Sequence, residues 1–311
     1  LGRFLFCAAG QRGKWFHHCI QRGKGANMTA IFRLRREGQS RTGIPGGTMR
    51  TLSKIVLTTA LAAIAATTGA SAKEWKSAKI ASEGAFPPFN FMDANKQLQG
   101  FDIDITRAVC EKAKIKCDFV VQDWDGMIPA LLAKKYDAIA ASMSITEERK
   151  KKVDFSDKYY NSPARFVTTK TNGFTDTTPE GLKGKTIGAQ SSTVQANFLE
   201  DVYKPKGVNI KLYATQDEAG ADMLAGRLDG LMADAPVLYE WLEKAGGNAC
   251  CQFVGPDYKD VKYFGEGIGF AVRKDKDSAD LKAQLNKALA EILKDGTYEK
   301  INKKYFPFSI Y

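Results

Sequence analysis

The sequence predicts an α/β protein of two lobes, each a mainly parallel sheet flanked by helices. Three observations carry this. Strand-like and helix-like segments alternate from Lys79 onward, the alternation runs through the same order twice, and a long amphipathic helix closes the chain. Strands separated by helical stretches at this spacing make βαβ units, which require parallel pairing. With 311 residues, 44% of them hydrophobic, the chain has apolar surface enough for two cores.

Lys79 to Ser82 reads as the first strand, followed by a Gly- and Pro-bearing turn from Glu83 to Phe89. Phe101 to Lys114 has apolar residues at helical spacing, with Asp102 as its cap. Cys117 to Gln122 is a β-rich strand, Met127 to Lys134 a helix, and Asp137 to Ala141 a buried strand. That strand runs into a hydroxyl-rich loop, Ser142-Met143-Ser144-Ile145-Thr146. Thr146 is placed to cap a helix whose first turn holds Glu147 and Glu148, where acids suit the positive end of the helix dipole. Arg149 follows one turn in.

Arg165 to Thr169 is a strand crossing into the second lobe, and Thr178-Pro179-Glu180 a capped helix start. Lys185 to Ala189, Ile210 to Tyr213 and Leu231 to Ala233 are strands; Val194 to Tyr203, Asp217 to Ala225 and Pro236 to Ala245 are helices. Gly267 to Val272 is a return strand. Ser278 to Lys294 sets Leu281, Leu285, Ala288, Leu289, Ile292 and Leu293 on one helical face. The glycine-rich run Gly265 to Gly269 does not lead from a strand into a helix, as a dinucleotide loop would, and reads as a turn.

The formal charge of +11 points toward a polyanion, but its distribution does not. Residues 1–72 hold 11 Lys/Arg and the single acid Glu37, so residues 73–311 keep 35 basic against 34 acidic side chains. The folded body is near neutral, which argues against nucleic acid as its partner. Met49 to Ala72 has the form of a secretory signal peptide. Arg50 and Lys54 precede an apolar centre from Ile55 to Ala66, and Ala70-Ser71-Ala72 makes a cleavage site. The apolar centre is too short to span a membrane comfortably. Residues 1–48, rich in Arg and Gly, read as a non-native, disordered extension upstream of a chain that starts at Met49, with a genuine basic arm as the alternative. They lack the periodicity of a DNA-binding helix-turn-helix.

Both histidines, His17 and His18, fall in that extension, so the body has no His-based catalysis or His-ligated metal. No metal or cofactor motif is found. Of six cysteines, Cys110, Cys117, Cys250 and Cys251 remain after export to an oxidising compartment, where disulfides are permitted. Cys110 ends a helix and Cys117 opens a strand, so a bridge between them can close a small loop. The state of the adjacent pair, Cys250 and Cys251, stays open.

Two α/β lobes form a cleft, and small ligands bind at the carboxyl ends of their strands. Glu83 and Phe86 follow the first strand, Trp124 the second, and Ser142, Ser144 and Arg149 the third. In the second lobe Gln190 to Thr193 lead into a helix N-terminus suited to an anion, and Asp234 follows the strand Leu231 to Ala233. Taken singly, each has a plainer role. Phe86 and Trp124 serve as core aromatics, Asp234 as the cap of the next helix, Glu83 as a surface acid and Arg149 as a solvated cation. Taken together, they answer the parts of an amino acid. A guanidinium fork matches a carboxylate, hydroxyls orient it, two acids hold amines, and two aromatics sandwich an aliphatic chain.

The segments GFDIDITRAVCEKAKIKC, DWDGMIPALLAKKYDAIAASMSITEERKKKVDFSDKYY, AGRLDGLMAD and DGTYEKINKKYFPF make residues 79–311 resemble a known family. It is that of the periplasmic lysine/arginine/ornithine- and histidine-binding proteins of ABC importers, with their opine-binding relatives. The resemblance implies a type II periplasmic-binding-protein fold with a hinge of two crossing strands. Lobe 1 would comprise 73–164 plus 261–311, and lobe 2 165–260. It implies that Arg149 clamps an α-carboxylate, helped by Ser144 and the backbone near Thr193, while Asp234 and the Ser142 carbonyl hold the α-ammonium. Phe86 and Trp124 would stack on the ligand side chain, and Glu83 would face its distal group. Cys110 and Cys117 match the family's small-loop disulfide.

A periplasmic monomer that hands a cationic amino acid to an inner-membrane permease is the function so implied, with no catalysis. An opine such as octopine or nopaline is the second ligand class. A cyclohexadienyl dehydratase, with Glu83 or Asp234 as general acid, is the enzymatic alternative. The chain departs from the family pattern in several places. Glu83 stands where Asp is usual, Phe86 where Tyr is usual, Ala141 replaces a serine, and QSSTV replaces a leucine- and glycine-containing turn.

Overall fold

The computed structural model describes residues 73–171 and 173–311, so the expected signal peptide and the extension before it lie outside the described residues. In chain order, β1 (Ser77–Ser82) is followed by a small meander, β2 (Ala85–Phe86), β3 (Asn90–Met92) and β4 (Leu98–Gln99). Then come α1 (Phe101–Ala113), β5 (Lys116–Val121), α2 (Met127–Leu132), β6 (Ala138–Ile139), α3 (Glu147–Lys150) and β7 (Asp154–Phe155). The second lobe contributes β8 (Ala164–Thr169), β9 (Thr186–Gln190), α4 (Val194–Phe198), β10 (Asn209–Tyr213), α5 (Gln216–Leu224), β11 (Gly230–Asp234), α6 (Ala235–Lys244) and β12 (Cys251–Tyr258). The chain finishes with α7 (Val261–Phe264), β13 (Ala271–Val272), α8 (Lys276–Lys294) and α9 (Thr297–Tyr305).

Two five-stranded sheets share one design, with orders β5-β1-β6-β13-β7 and β10-β9-β11-β8-β12. In each, the first three strands pair in parallel and the fourth runs antiparallel to both its neighbours. The reversed strand is the one by which the chain arrives from the other lobe: β8 entering the second, β13 returning to the first. The two crossing segments meet at Ile268, which exchanges backbone hydrogen bonds of 2.9 Å with Tyr159 and Tyr160. Ile268 also bridges to Ser144, so the hinge is stitched to the loop after β6.

Strand alternation divides each sheet between two apolar layers. Ile80 and Ala138 face the layer formed with Phe101, Val109, Leu281, Leu285 and Leu289, while Ala81 and Ile139 face Met127, Leu131 and Tyr136. In the second lobe Met232 and Phe166 pack with Ile187, Leu199 and Tyr203, whereas Leu231 and Val167 pack with Met223, Leu238 and Trp241. Phe264 of α7 belongs to this second lobe's core, so the return to the first lobe falls after it. Every apolar position expected on the face of α8 is buried except Leu293, which is partly so.

Several local expectations are corrected. The N-cap of α1 is Gly100, not Asp102. Gly100 has φ of 121°, and a Cβ there would lie 2.2 Å from the Phe89 carbonyl oxygen, so only glycine fits. Asp102 instead lies within the first turn and is fully buried. Thr178-Pro179-Glu180 opens a turn rather than a helix. The Thr178 hydroxyl does accept from the Gly181 N–H at 3.1 Å. The chain then reverses at Gly184, φ of 78°, before a second turn can form. The strands expected over Asp137 to Ala141 and Gly267 to Val272 ladder only at Ala138–Ile139 and Ala271–Val272. The flanking residues turn away to build the hydroxyl-rich loop and the hinge. The helix from Val194 keeps α geometry to Phe198 and widens to a π turn over Leu199–Tyr203.

Cys110 and Cys117 are joined, and so are Cys250 and Cys251. Among the described residues, no helix is long and apolar enough to cross a membrane.

Candidate functional site

All nine residues singled out at strand ends line one cavity between the lobes, together with Ala141, Val194, Gln195, Gln216, Met232 and Ala233.

One end is built around Arg149. Thr146 caps α3 by accepting from the Arg149 N–H at 3.2 Å, which fixes the start of the turn that carries the guanidinium. Nη1 donates to the Ser144 carbonyl at 3.1 Å and Nη2 to the Ser192 carbonyl at 3.3 Å, while the group lies 5.2 Å from the Trp124 ring. Burial lowers its pKa to about 10, offset by Glu148 and Asp234, so it stays charged at neutral pH. Arg107, Arg165, Arg227 and Arg273 each pair with a carboxylate. Among the described residues Arg149 pairs with none, which leaves its fork for an incoming anion. The Thr193 hydroxyl, by contrast, is engaged locally: it donates to the Gln190 carbonyl at 2.7 Å and accepts from Ala196 N–H at 3.1 Å.

A second corner holds Asp234 and Ser142. Asp234 sits at the N-cap position of α6 yet makes no side-chain cap bond. Pro236 follows in the first turn and has no N–H to offer, so the carboxylate is free of the helix it precedes. Burial pushes its pKa up to about 7, against the pull of Ser162, Arg149 and Gln195. Ser142 takes the left-handed conformation, φ of 52°, and its hydroxyl donates to Asp102 at 2.9 Å.

At the far end stands Glu83, just past β1 and 7% exposed. Gln190 Nε2, from the second lobe, donates to it at 2.6 Å and also to the Ala214 carbonyl at 3.1 Å. Burial pushes the Glu83 pKa up to about 7 against the Gln190 bond, with Asp217, Asp123 and Asp125 raising it further. Phe86 is buried beside Phe89, ring centres 6.2 Å apart, and Trp124 opens a short 3-10 turn. Three consecutive residues of the second lobe thus reach three residues of the first: Gln190 to Glu83, Ser191 to Asp125 at 3.0 Å, and Ser192 to Arg149.

The local reading missed the residues behind this lining. Asp102 accepts from Asn90, Ser142 and Tyr159, and Asn90 accepts from Gly84 N–H at 2.9 Å. A signal was present: Asp102, Ile105, Thr106 and Val109 fall at i, i+3, i+4 and i+7, which puts an acid on the buried stripe of α1. Among the described residues, no group of three or more His, Cys, Asp or Glu side chains is disposed to hold a metal ion.

The family model of the bacterial extracellular solute-binding proteins, family 3, matches residues 78–308. An L-arginine-binding protein of Pseudomonas aeruginosa is 42% identical over 236 residues, 76% of this chain and 90% of that protein. The lysine/arginine/ornithine-binding periplasmic protein of Escherichia coli K12 is 40% identical over 233 residues, 75% of this chain and 88% of that one. Among solved structures, an ancestral arginine-binding protein bound to arginine superposes with a TM-score of 0.68 at 39% identity, covering 75% of this chain and all of the other.

Proposed function

The chain belongs to family 3 of the bacterial extracellular solute-binding proteins, and on that footing we propose that it captures a cationic L-amino acid of the arginine, lysine or ornithine type in the periplasm and delivers it to the permease of an ABC importer. It is a binding protein and not an enzyme. One observation carries the choice of ligand. The cavity holds two carboxylates, Glu83 and Asp234, whose pKa values burial raises to about 7, against the single guanidinium of Arg149. A ligand bringing one anionic and two cationic groups relieves both acids and satisfies the arginine.

In this reading Arg149 holds the α-carboxylate, with Ser144 and the backbone at Thr193 alongside. Asp234 and the Ser142 carbonyl hold the α-ammonium, Phe86 and Trp124 flank the aliphatic chain, and Glu83, steadied by Gln190, meets the distal cation. The names of the relatives from Pseudomonas aeruginosa and Escherichia coli support the same ligand class. Ligand spanning both lobes makes contacts only the closed form offers, so binding shifts the population toward the form presented to the permease.

A thermal-shift screen tests this. Residues 73–311, refolded from denaturant, are heated with each of the twenty amino acids, ornithine, citrulline, octopine and nopaline. A ligand at 100 times its Kd adds about 2.7 kcal/mol of stability, several degrees. A shift confined to arginine, lysine or ornithine is expected. A shift with octopine or nopaline alone would reassign the Glu83 end of the cavity, and none at all would overturn the proposal.

A further inference from the structure

We propose that Asp102, which lines no part of the cavity, is the positioning residue that ties both ends of the binding site to the hinge. Its carboxylate receives three donors from three separate elements. Oδ1 accepts from the Tyr159 hydroxyl at 2.8 Å; Oδ2 accepts from the Ser142 hydroxyl at 2.9 Å and from Asn90 Nδ2 at 3.0 Å. Asn90 passes the connection on, accepting from the N–H of Gly84, the residue next to Glu83. Ser142 lies on the cavity wall with a left-handed backbone. Tyr159 lies where the crossing segments pair, its own N–H donating to Ile268. One buried group therefore fixes the loop at the ammonium corner, the loop at the distal end and the crossing segment between the lobes.

Only an ionised carboxylate can do this. It accepts at both oxygens, whereas the asparagine amide would turn an NH2 toward one set of donors, and an apolar residue would strand all three. Asp102 has no cation partner among the described residues and is fully buried, so neutral hydroxyl and amide donors alone hold its charge. The charge also reaches the ligand corner: Asp102 is among the groups that raise the Asp234 pKa, and the same potential favours an ammonium placed there. The consequence for affinity rests on the amino-acid reading of the cavity, and the consequence for the loops does not.

The test uses Asp102→Asn and, as a milder variant that keeps the carboxylate, Tyr159→Phe. Circular dichroism and melting confirm that each is folded. Amide hydrogen exchange is followed by mass spectrometry over residues 83–90, 141–146 and 158–161. Faster exchange in all three segments is expected for Asp102→Asn, and in segments beyond its own for Tyr159→Phe. In calorimetry, Asp102→Asn should weaken L-arginine by roughly tenfold or more, the scale of lost hydrogen bonds to a charge. It should also weaken 5-guanidinopentanoate, which lacks the α-ammonium but keeps the distal guanidinium. Exchange altered only beside each substitution, or undiminished binding of both ligands, would overturn the proposal. Should the unmutated protein bind neither ligand, the amino-acid reading falls while the exchange result still decides the role of Asp102.

Discussion

Gln190 donates its amide across the cleft to Glu83 at 2.6 Å, a neutral group from one lobe holding a buried acid of the other. A neutral donor does not offset burial, which pushes Glu83 to about 7, as it does Asp234. An acid whose pKa is higher in the folded than in the unfolded state contributes stability that is present below the unfolded value and lost as pH rises through the folded one. For these two residues that window runs from about 4 to about 7. Binding of a cationic ligand has the opposite sign. It requires both acids ionised, so affinity should fall as pH drops through 7, and protons should leave on binding. Calorimetry at pH 6.5 in two buffers of different ionisation heat measures the number released. Glu83→Gln should release fewer, and an unchanged number would remove Glu83 from the site.

Arg149→Ala should weaken the ligand by roughly 2–5 kcal/mol, because it leaves a carboxylate buried with no partner charge. Stability without ligand should change little or rise, since the half-buried guanidinium has no carboxylate of its own among the described residues. Isothermal calorimetry with L-arginine, beside a melting curve, separates the two effects. Normal binding by this variant would mean that another group clamps the carboxylate.

The two disulfides should differ in worth. Replacing Cys110 and Cys117 by serine reopens a short loop between α1 and β5, at a cost of roughly 2–3 kcal/mol. That corresponds to a fall in melting temperature of roughly 5–10 °C. Cys250 and Cys251 are neighbours in the chain, so their bridge closes no chain loop and its removal should cost about 1 kcal/mol or less. Differential scanning calorimetry of both double variants makes the comparison; equal losses would contradict the loop argument.

Much of the site was legible because strand ends are local events. An apolar run ending in Ser142, or in Asp234, marks itself in the sequence, and parallel topology sends such ends to one edge. Thr146 and the buried face of α8 were legible for the same reason, since caps and helical periodicity involve residues within a few positions of each other. Asp102 was misread because a local rule, the acid that opens a helix, offered a ready role. Its true partners Ser142 and Tyr159 lie 40 and 57 residues away. The bond between Glu83 and Gln190 spans 107 residues, and no periodicity encodes it. The short ladders of β6 and β13 were overextended because apolar residues continue past the last paired position to serve the hinge.

The reversed strand in each sheet fixes an order of assembly. The second lobe from β8 to β12 is one uninterrupted piece of chain and needs only α7 to finish its core. The first lobe takes β13, α8 and α9 from beyond the second lobe in the sequence. Pulse-labelled exchange during refolding should therefore protect β9, β10 and β11 before β1, β5 and β6. Until β13 pairs, the half that carries Glu83, Ser142 and Arg149 is an open sheet with an unfilled slot between β6 and β7.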